Sequence, residues 1–280
     1  MQTLLNTPHE IIQQNILGAA AKAKTRILNI LVLGMMAGSF IAMGAQSSSL
    51  AVHNISNIGL ARTLAGCIFP VGLMMIVFVG GELFTGDCMM SMAWMQRKIH
   101  FADMLRTLVL VYVSNFVGAA LIAFLVAHSG QYDYSGALGA YTIKVAYGKV
   151  HLSFANALVS GILCNILVCV AVLMAAAAKD IAGKVLAIFF PILAFVVSGF
   201  EHCVANMYYI PAGIFASKNA AYAAKALELY NIDSTQLSSL NWGSFAISNL
   251  IPVTIGNIIG GALLVGGACF YLHGKALHES

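Results

Sequence analysis

Residues 185–217 read VLAIFFPILAFVVSGFEHCVANMYYIPAGIFAS, an apolar run of 33 residues whose only charged-type side chains are Glu201 and His202. As one straight helix it would extend roughly 50 Å, whereas the hydrocarbon of a bilayer is about 30 Å thick. Ser198-Gly199 directly precedes the polar pair and is a natural place for a break. Because an ionisable side chain at membrane depth normally faces a bundle interior or a watery path, the run predicts a broken membrane helix. Transporters use such helices around a permeation site.

A second apolar run, residues 64–95, has the same design. Its only charged side chains are Glu82 and Asp87, and Gly80-Gly81 directly precedes Glu82. Non-helical backbone at membrane depth is tolerated only where it is buried in protein or lines a cavity. We therefore expect a second break here, with Asp87 capping the half-helix that resumes after it. Two interruptions in corresponding places predict a central binding or conduction site.

The composition excludes several classes of protein. With 60% hydrophobic and 9% charged residues, the chain is predicted to be an all-α integral membrane protein, surrounded by lipid and without a soluble domain. The net charge of +4 comes without a basic patch interleaved with aromatic residues, so no nucleic-acid partner is expected. All six cysteines lie in apolar segments without metal-type spacing, which predicts no disulfide, no metal and no cofactor.

The hydropathy pattern predicts six membrane segments, at about 27–46, 62–96 (broken), 107–128, 152–178, 184–216 (broken) and 245–272. The predicted parts of the chain are a cytoplasmic amphipathic N-terminal helix (1–26), a first three-span repeat (27–128), an extracytoplasmic loop (129–151), a second, inverted three-span repeat (152–272) and a cytoplasmic tail (273–280).

Thr7 is expected to cap the N-terminal helix and Pro8 to lie in its first turn. The apolar side of that helix is predicted to carry Ile11, Ile12, Ile16 and Leu17. Nine of the fourteen Lys and Arg residues then fall on the inner side, which predicts that both termini are cytoplasmic.

The two halves of the chain resemble each other. Residues 113–121 and 255–263 match, each with an Asn-x-x-Gly motif, and Phe-Pro dipeptides at 69–70 and 190–191 begin the two broken segments. Three spans per half force the second half to insert upside down. The result is an inverted repeat with a pseudo-two-fold axis in the membrane plane.

His202 is the leading candidate for the central site. It is the only histidine within a span, and an imidazole can donate a hydrogen bond or lend a proton to a small weak-acid anion. The structural alternative is a buried histidine bonded to a neighbour such as Asn206, one helical turn away. Glu201 and Glu82 are interpreted as structural groups that fix loop backbone or the His202 tautomer, because a carboxylate in the path would repel an anion.

The remaining candidates carry a functional and a structural interpretation each. Thr85 donates to an anion or makes an ordinary loop hydrogen bond. The amides of Asn115, Asn165 and Asn257 line a pore or join helices. Lys149 raises the local positive potential or only reaches the interface. Large apolar side chains near the breaks form hydrophobic constrictions or pack helices; they are Phe69, Leu73, Leu83, Phe84, Val168 and Phe195.

Three motifs in this order resemble the formate/nitrite transporter family: residues 81–86 (GELFTG), 198–202 (SGFEH) with the following 205–207 (ANM), and 249–257 (NLIPVTIGN). The resemblance extends from the N-terminal helix to Leu272. It implies an aquaporin-related fold, although the chain carries no Asn-Pro-Ala pair, and a bacterial homopentamer of the cytoplasmic membrane with a pore in each protomer. The implied cargo is formate, nitrite or hydrosulfide, and the wording of residues 81–88 favours hydrosulfide.

The resemblance also implies a role for each candidate residue. His202 is the central pore histidine, Thr85 lies in the loop that breaks segment two, and Lys149 is the lysine ahead of segment four. Asn165 and Asn257 lie near the chamber, and Glu201 is the acidic residue before the histidine. The outer constriction is then formed by Phe69, Leu73 and Phe195, and the inner one by Leu83, Phe84 and Val168.

Two other classes of function compete with anion transport. An aquaporin-like channel for neutral solutes predicts no anion current. An enzyme would need a nucleophile–base pair or a metal cluster, and the Glu201-His202 pair supplies neither, so no enzymatic activity is expected.

Overall fold

The computed structural model describes residues 5–274, and this part of the chain is helical. Six helical stretches are long and apolar enough to cross a membrane: Ile27–Val52, Ile58–Val79, Phe101–Ala127, Phe154–Ala177, Ile181–Ser198 and Trp242–Gly274. The predicted number and order of spans are confirmed. The first span runs further than hydropathy indicates, because the polar side chains of its last turns, Gln46 and Ser48, are buried inside the protein rather than facing lipid.

The elements that shape the site are helices α1 to α11. Their bounds are α1 Pro8–Lys22, α2 Ile27–Val52, α3 Ile58–Ile68, α4 Val71–Val79, α5 Phe84–Asp87, α6 Ser91–Met95, α7 Phe101–Ala127, α8 Leu138–Val150, α9 Phe154–Ala177, α10 Ile181–Ser198 and α11 Cys203–Ser217. The final span alternates between α-helix, as in Ile251–Ile258, and π-helix, as in Phe245–Leu250 and Ile259–Val265. Two short helices, Ala220–Tyr230 and Ser234–Ser238, lie between α11 and the final span.

Both predicted breaks are present. Helix α4 ends at Gly80, whose φ is +100°, and helix α10 ends at Gly199, whose φ is +71°. Glycine adopts these backbone angles without the steric penalty that a Cβ atom brings. After each glycine the chain runs without helix for a few residues and then resumes, at Phe84 as α5 and at Cys203 as α11.

The inverted repeat appears as a matched set of hydrogen bonds. The Asn115 amide donates to the carbonyls of Gly34 and Glu82, both at 2.8 Å, and its Oδ1 accepts from the Phe84 N–H at 2.9 Å. The amide of Asn257 does the same in the second half. It donates to the carbonyls of Gly161 (2.8 Å) and Glu201 (3.1 Å), and its Oδ1 accepts from the Cys203 N–H (2.9 Å). One asparagine in the third span of each repeat therefore secures that repeat's break.

The glycine of each Asn-x-x-Gly motif allows two spans to approach closely. A Cβ atom on Gly118 would lie 2.0 Å from the carbonyl oxygen of Met35, and one on Gly260 would lie 2.3 Å from that of Ile162. Real Cβ atoms do not occur at such distances, so α2 packs on α7, and α9 on the final span, only because these residues are glycines.

The Phe-Pro dipeptides, by contrast, do not occupy equivalent places. Phe69 is buried at the junction of α3 and α4, whereas Phe190 is 59% exposed on the surface of α10. Pro191 lies inside α10, while Pro70 precedes the first residue of α4. This sequence match therefore does not reflect the internal symmetry.

A helix precedes the three spans of each repeat. Helix α1 begins as predicted, with Thr7 capping it and Pro8 in the first turn. Its predicted apolar face is buried at Ile11, Ile12 and Ile16, but Leu17 is 62% exposed and lies off that face.

Part of the predicted loop 129–151 is helix α8, which buries Leu138, Ile143 and Val150. The sequence did not reveal it, because Ala137 offers no side-chain cap and Lys144 and Lys149 interrupt the apolar pattern. The last residues of the predicted tail, 275–280, lie outside the described residues.

Candidate functional site

Two cavities lie at opposite ends of the helix bundle and approach each other at the two breaks. The first, which we name the Lys22 vestibule, has a volume of about 280 Å³ and is lined by residues that include Lys22, Leu73, Glu82, Leu83, Asp87 and Val172. The second, the Lys149 vestibule, also has about 280 Å³ and is lined by residues that include Arg62, Phe69, Lys149, Phe195, His202 and Asn206. Helix α2 connects the two ends, since it begins just after α1 and its last turns line the Lys149 vestibule.

The buried pair His202 and Thr85 lies between the vestibules. His202 is the N-cap of α11, and its Nδ1 accepts a hydrogen bond from the Ala205 N–H at 3.0 Å. In the neutral imidazole the proton is then on Nε2, which donates to Thr85 Oγ1 at 2.9 Å. Each repeat contributes one member of this pair, His202 at its break and Thr85 in α5 directly after the other break, so the pair forms only when the two repeats pack together.

The intramembrane amides are directed at the backbone. Asn165 on α9 donates to the carbonyl of Thr85 at 3.1 Å and to that of Asn257 at 2.6 Å. Asn115 and Asn257 secure the breaks, and all three amides are buried. The wall of neither vestibule, as far as residues 5–274 show it, includes them. Their contacts therefore favour a structural role, in which the amides join helices, over a role in lining a pore.

Apolar side chains flank the central pair in the wall of each vestibule. The rings of Phe69 and Phe195 meet edge to face at 5.4 Å in the wall of the Lys149 vestibule, and Phe195 lies 6.0 Å from the His202 ring. Leu83 lies in the wall of the Lys22 vestibule. Leu73, which the sequence grouped with Phe69 and Phe195, lies in that same wall.

Two of the predicted constriction residues lie elsewhere in this structure. The ring of Phe84 packs edge to face on Tyr112 at 4.8 Å and lines an apolar groove between α7 and the final span. Val168 is buried on α9, and Val172, one turn further on, lines the Lys22 vestibule instead. The outward direction of Phe84 follows from Asn115, which holds the Phe84 N–H and so fixes the backbone there.

An ion pair lies at the wall of the Lys149 vestibule, which Lys149 lines. Lys149 Nζ lies 2.7 Å from Glu201 Oε1, while Glu201 Oε2 accepts from the amides of Asn206 at 2.7 Å and Asn249 at 3.2 Å. These bonds engage both carboxylate oxygens of Glu201 with groups other than His202, whose tautomer is set by the Ala205 N–H. Among the described residues, no hydrogen bond joins the side chain of Glu201 or Asn206 to the His202 imidazole, and Asn206 bonds to His202 only along the backbone of α11, where its N–H donates to the His202 carbonyl at 2.9 Å. The structure therefore contradicts the alternatives in which Asn206 holds the imidazole or Glu201 sets its tautomer.

Lys22, the last residue of α1, makes contacts at the first break that correspond to those of Lys149 at the second. It pairs with both Glu82 and Asp87 through short contacts. Asp87 is the last residue of α5 and makes no capping hydrogen bond, so the prediction that it caps a half-helix is wrong. The reason is that the helix resumes at Phe84, three residues before Asp87. The Asp87 Oδ1 pairs instead with Lys22, which is 65 residues away in the chain.

Sequence reasoning assigned no role to Lys22 or Asn249. A usable signal was present for Lys22, since it precedes Gly34 by the same twelve residues that separate Lys149 from Gly161. Asn249 begins the third motif but reaches the site only through the packing of the final span.

A cationic cavity of about 540 Å³ adjoins the Lys149 vestibule. Its wall includes His53, Arg62 and Lys144, and the part of the chain that the structure describes contributes no acidic side chain to it. Lys144 Nζ lies 4.6 Å from the centre of the Tyr230 ring. Because Arg62 and Tyr141 line both cavities, the two cavities share this wall. Sequence reasoning did not assign Arg62 or Lys144 to the site.

Six spans in two inverted repeats, with two breaks that meet at a buried polar pair and a vestibule at either end, define a membrane transport protein. Comparison with known proteins identifies the family of transport proteins. The family model described as "Formate/nitrite transporter" matches residues 9–271, and the chain belongs to this family. An enzymatic activity is not expected of a transporter family, in agreement with the interpretation of the sequence.

Relatives of similar length share more than a third of their residues with this chain. The uncharacterized transporter YrhG of Bacillus subtilis is 38% identical and covers 96% of this chain and 94% of its own length. The formate channel BtFdhC of Bacillus thuringiensis is 37% identical, with 96% of both chains covered. The formate channel FocA of Escherichia coli (strain K12) is 36% identical over 88% of this chain and 86% of its own.

Solved structures have the same fold. A pentameric formate channel with formate bound superimposes with a TM-score of 0.78 at 31% identity and covers 89% of this chain and 98% of its own. An FNT family ion channel superimposes with a TM-score of 0.80 at 26% identity, with 94% and 98% covered.

Proposed function

We propose that the chain passes small monovalent anions of weak acids across a membrane through a pore in each protomer. The observation that carries this proposal is the His202 Nε2–H, a single buried donor between apolar constrictions, with a lysine-bearing vestibule on either side. Narrow apolar passages penalise a bare ion, and a donor between them eases passage by partly neutralising it. His202 and Thr85 are the proposed pore residues, and Lys149 raises the potential of its vestibule.

Different side chains act at successive stages of anion passage. An anion enters the wide cationic cavity, loses water at Phe69 and Phe195, and reaches His202 in place of Thr85 as the acceptor of the Nε2 proton. It leaves past Leu83 and Leu73. Glu201 and Asn206 hold the second break together with Lys149, so the charge of the Glu201 carboxylate is compensated rather than presented to the cargo. Glu82 pairs with Lys22 at the first break.

Formate is the first candidate cargo, because characterised relatives are named formate channels. Nitrite is a second candidate, in line with the name of the family. Hydrosulfide remains a candidate because of the wording of residues 81–88. In the described part of the site, no side chain distinguishes sulfur from a carboxylate, so permeation of all three anions is the expected behaviour.

We further propose a homopentamer in the bacterial cytoplasmic membrane with both termini cytoplasmic. A formate channel of the same fold is pentameric, and the distribution of Lys and Arg supports this orientation. The Lys22 vestibule then opens to the cytoplasm and the Lys149 vestibule to the outside. The repeats comprise residues 27–128 and 152–272, preceded by the segments 1–26 and 129–151.

The test is flux through the purified protein in liposomes, with formate, nitrite, hydrosulfide, chloride and glycerol compared in one series. Passage of the three weak-acid anions without chloride or glycerol is the expected result. Fast hydrosulfide with slow formate would make hydrosulfide the principal cargo. Glycerol passage without anion passage would overturn the proposal in favour of an aquaporin-like channel.

A further inference from the structure

Two clusters of polar side chains correspond to each other in the two halves of the chain: Lys22 with Glu82 and Asp87, and Lys149 with Glu201 and Asn206. They differ in the type of one residue. Glu82 and Glu201 occupy matching places, because the carbonyl of each accepts from the asparagine that secures its break. Five residues further on, the first repeat has Asp87 where the second has Asn206. The cluster at Lys149 therefore joins one cation to one carboxylate, whereas the cluster at Lys22 joins one cation to two.

The additional carboxylate is poorly compensated. Asp87 is only 4% exposed, and its Oδ1 shares the single ammonium of Lys22 with Glu82. Its Oδ2 is buried without a hydrogen-bond partner among the residues described. A buried carboxylate oxygen without a donor is costly, and two carboxylates that share a site do not both ionise readily.

No other group nearby supplies the missing charge. The titratable groups that face Asp87 are Lys22 on α1, Glu82 in the break, and the buried thiols of Cys88 and Cys169. An ordinary thiol is uncharged below about pH 8. The described wall of the Lys22 vestibule includes no histidine and no further cation or carboxylate. Binding of one proton is therefore the simplest way to bring this cluster to the neutral state of its counterpart.

We propose that Glu82 and Asp87 form a proton-binding carboxyl pair in the wall of the Lys22 vestibule, and that the proton they hold controls anion access from that side. The proton comes from water in the vestibule and is shared between the two carboxyl groups. With it, the cluster is neutral and matches the cluster at Lys149. Without it, a net negative charge lies on the path and repels the cargo. This inference rests on the proposed anion transport.

The expected effect is one-sided. A unit charge several ångströms from a passing anion in a medium of intermediate dielectric changes its local concentration by roughly tenfold. Anion flux that starts from the Lys22 side is therefore expected to fall by about this factor when a rise in pH on that side removes the shared proton. Flux that starts from the Lys149 side is expected to respond less, because the charge then lies beyond the constrictions.

The experiment compares Asp87→Asn with the wild type and uses Asn206→Asp as the matched control. Initial rates of formate flux are measured in right-side-out and inside-out membrane vesicles, with the pH varied on the side of origin from about 5.5 to 8. Asp87→Asn gives the first cluster the composition of the second, so the dependence on pH at the Lys22 side is expected to flatten to within about twofold. Asn206→Asp is expected to create such a dependence at the Lys149 side.

Two further measurements keep the test decisive. Glu82→Gln leaves Asp87 paired with Lys22 and is expected to flatten the same profile, which provides a second variant if Asp87→Asn does not assemble. Infrared difference spectra of the wild type are expected to show a protonated-carboxyl carbonyl band that titrates and that is lost in either variant.

The outcomes separate the two proposals. A wild-type protein that passes no anion at any pH overturns the proposed function. Anion passage with the same one-sided pH profile in wild type, Asp87→Asn and Glu82→Gln overturns the carboxyl pair and leaves the proposed function standing.

Discussion

His202 and Thr85 are joined by a hydrogen bond of 2.9 Å between Nε2 and Oγ1, although 117 residues separate them in the chain. The Ala205 N–H occupies Nδ1 and so directs the only imidazole proton at the threonine. Each residue comes from a different repeat, His202 from its break and Thr85 from α5 directly after the other break. The bond therefore reports on how the two repeats are packed, and it places one donor where the two vestibules approach each other.

Replacement of His202 by Phe is expected to reduce formate flux by roughly ten- to hundredfold, because a hydrogen bond to a charged group contributes about 1.5–3 kcal/mol. The measurement is flux in proteoliposomes that contain correctly assembled protein. His128→Phe is the control, since His128 is exposed and stacks on Phe124 away from both vestibules. Unchanged flux in His202→Phe would contradict the assignment of this residue to the pore.

Glu201→Gln is expected to destabilise the protein by about 3–5 kcal/mol, because it leaves the ammonium of Lys149 largely buried and without its counter-charge. Thermal unfolding in detergent, compared with the wild type, measures this loss. The exposed pair of Lys225 and Glu228 gives the control: Glu228→Gln is expected to cost less than about 1 kcal/mol. Equal effects of the two substitutions would mean that the buried pair adds little to stability.

Asn115→Ala and Asn257→Ala are expected to have similar effects, since each removes three hydrogen bonds to backbone at a break. A loss of about 3 kcal/mol is expected in each case, at about 1 kcal/mol per bond. The exposed Asn54 is the control, and Asn54→Ala is expected to leave the unfolding temperature unchanged. Strongly unequal losses at the two buried positions would argue against equivalent roles for the two asparagines.

Gly260→Ala is expected to prevent correct packing of α9 on the final span, because the added Cβ would lie 2.3 Å from the carbonyl oxygen of Ile162. Gly267→Ala in the same span is the matched control, since nothing lies within 4 Å of a Cβ atom there. The yield of assembled protein in size-exclusion chromatography measures the difference. A normal yield of Gly260→Ala would show that the two spans separate more easily than this packing indicates.

Combined replacement of Arg62 and Lys144 by Gln is expected to slow anion flux from the Lys149 side by about three- to tenfold at low ionic strength, because a cationic cavity concentrates anions. The difference is expected to shrink at high salt, where the Debye length is a few ångströms. Lys218→Gln is the control, because Lys218 lines a different cavity. Loss of flux that does not depend on salt would point to a structural role for these cations.

The breaks were predictable from sequence because their signals are local. Each break lies in an apolar run that is too long for one crossing of the membrane. In each run a glycine shortly precedes the charged-type side chains: Gly80 precedes Glu82, and Gly199 precedes Glu201 and His202. The equivalence of Asn115 and Asn257 was visible for the same reason, as a short motif in each half. Local signals also misled: the Phe-Pro dipeptides look alike but differ in burial, because burial depends on what packs against a helix and not on the helix itself.

The sequence by itself determined the membrane class, the six spans, the two breaks and the family, since these depend on hydropathy, length and contiguous motifs. Only the tertiary structure decided which groups meet at the breaks. It brings Lys22 to Asp87, Lys149 to Glu201, and His202 to Thr85, and it directs Phe84 away from the vestibules. These contacts join residues that are far apart in the chain, and the close approach of spans at Gly118 and Gly260 fixes their geometry.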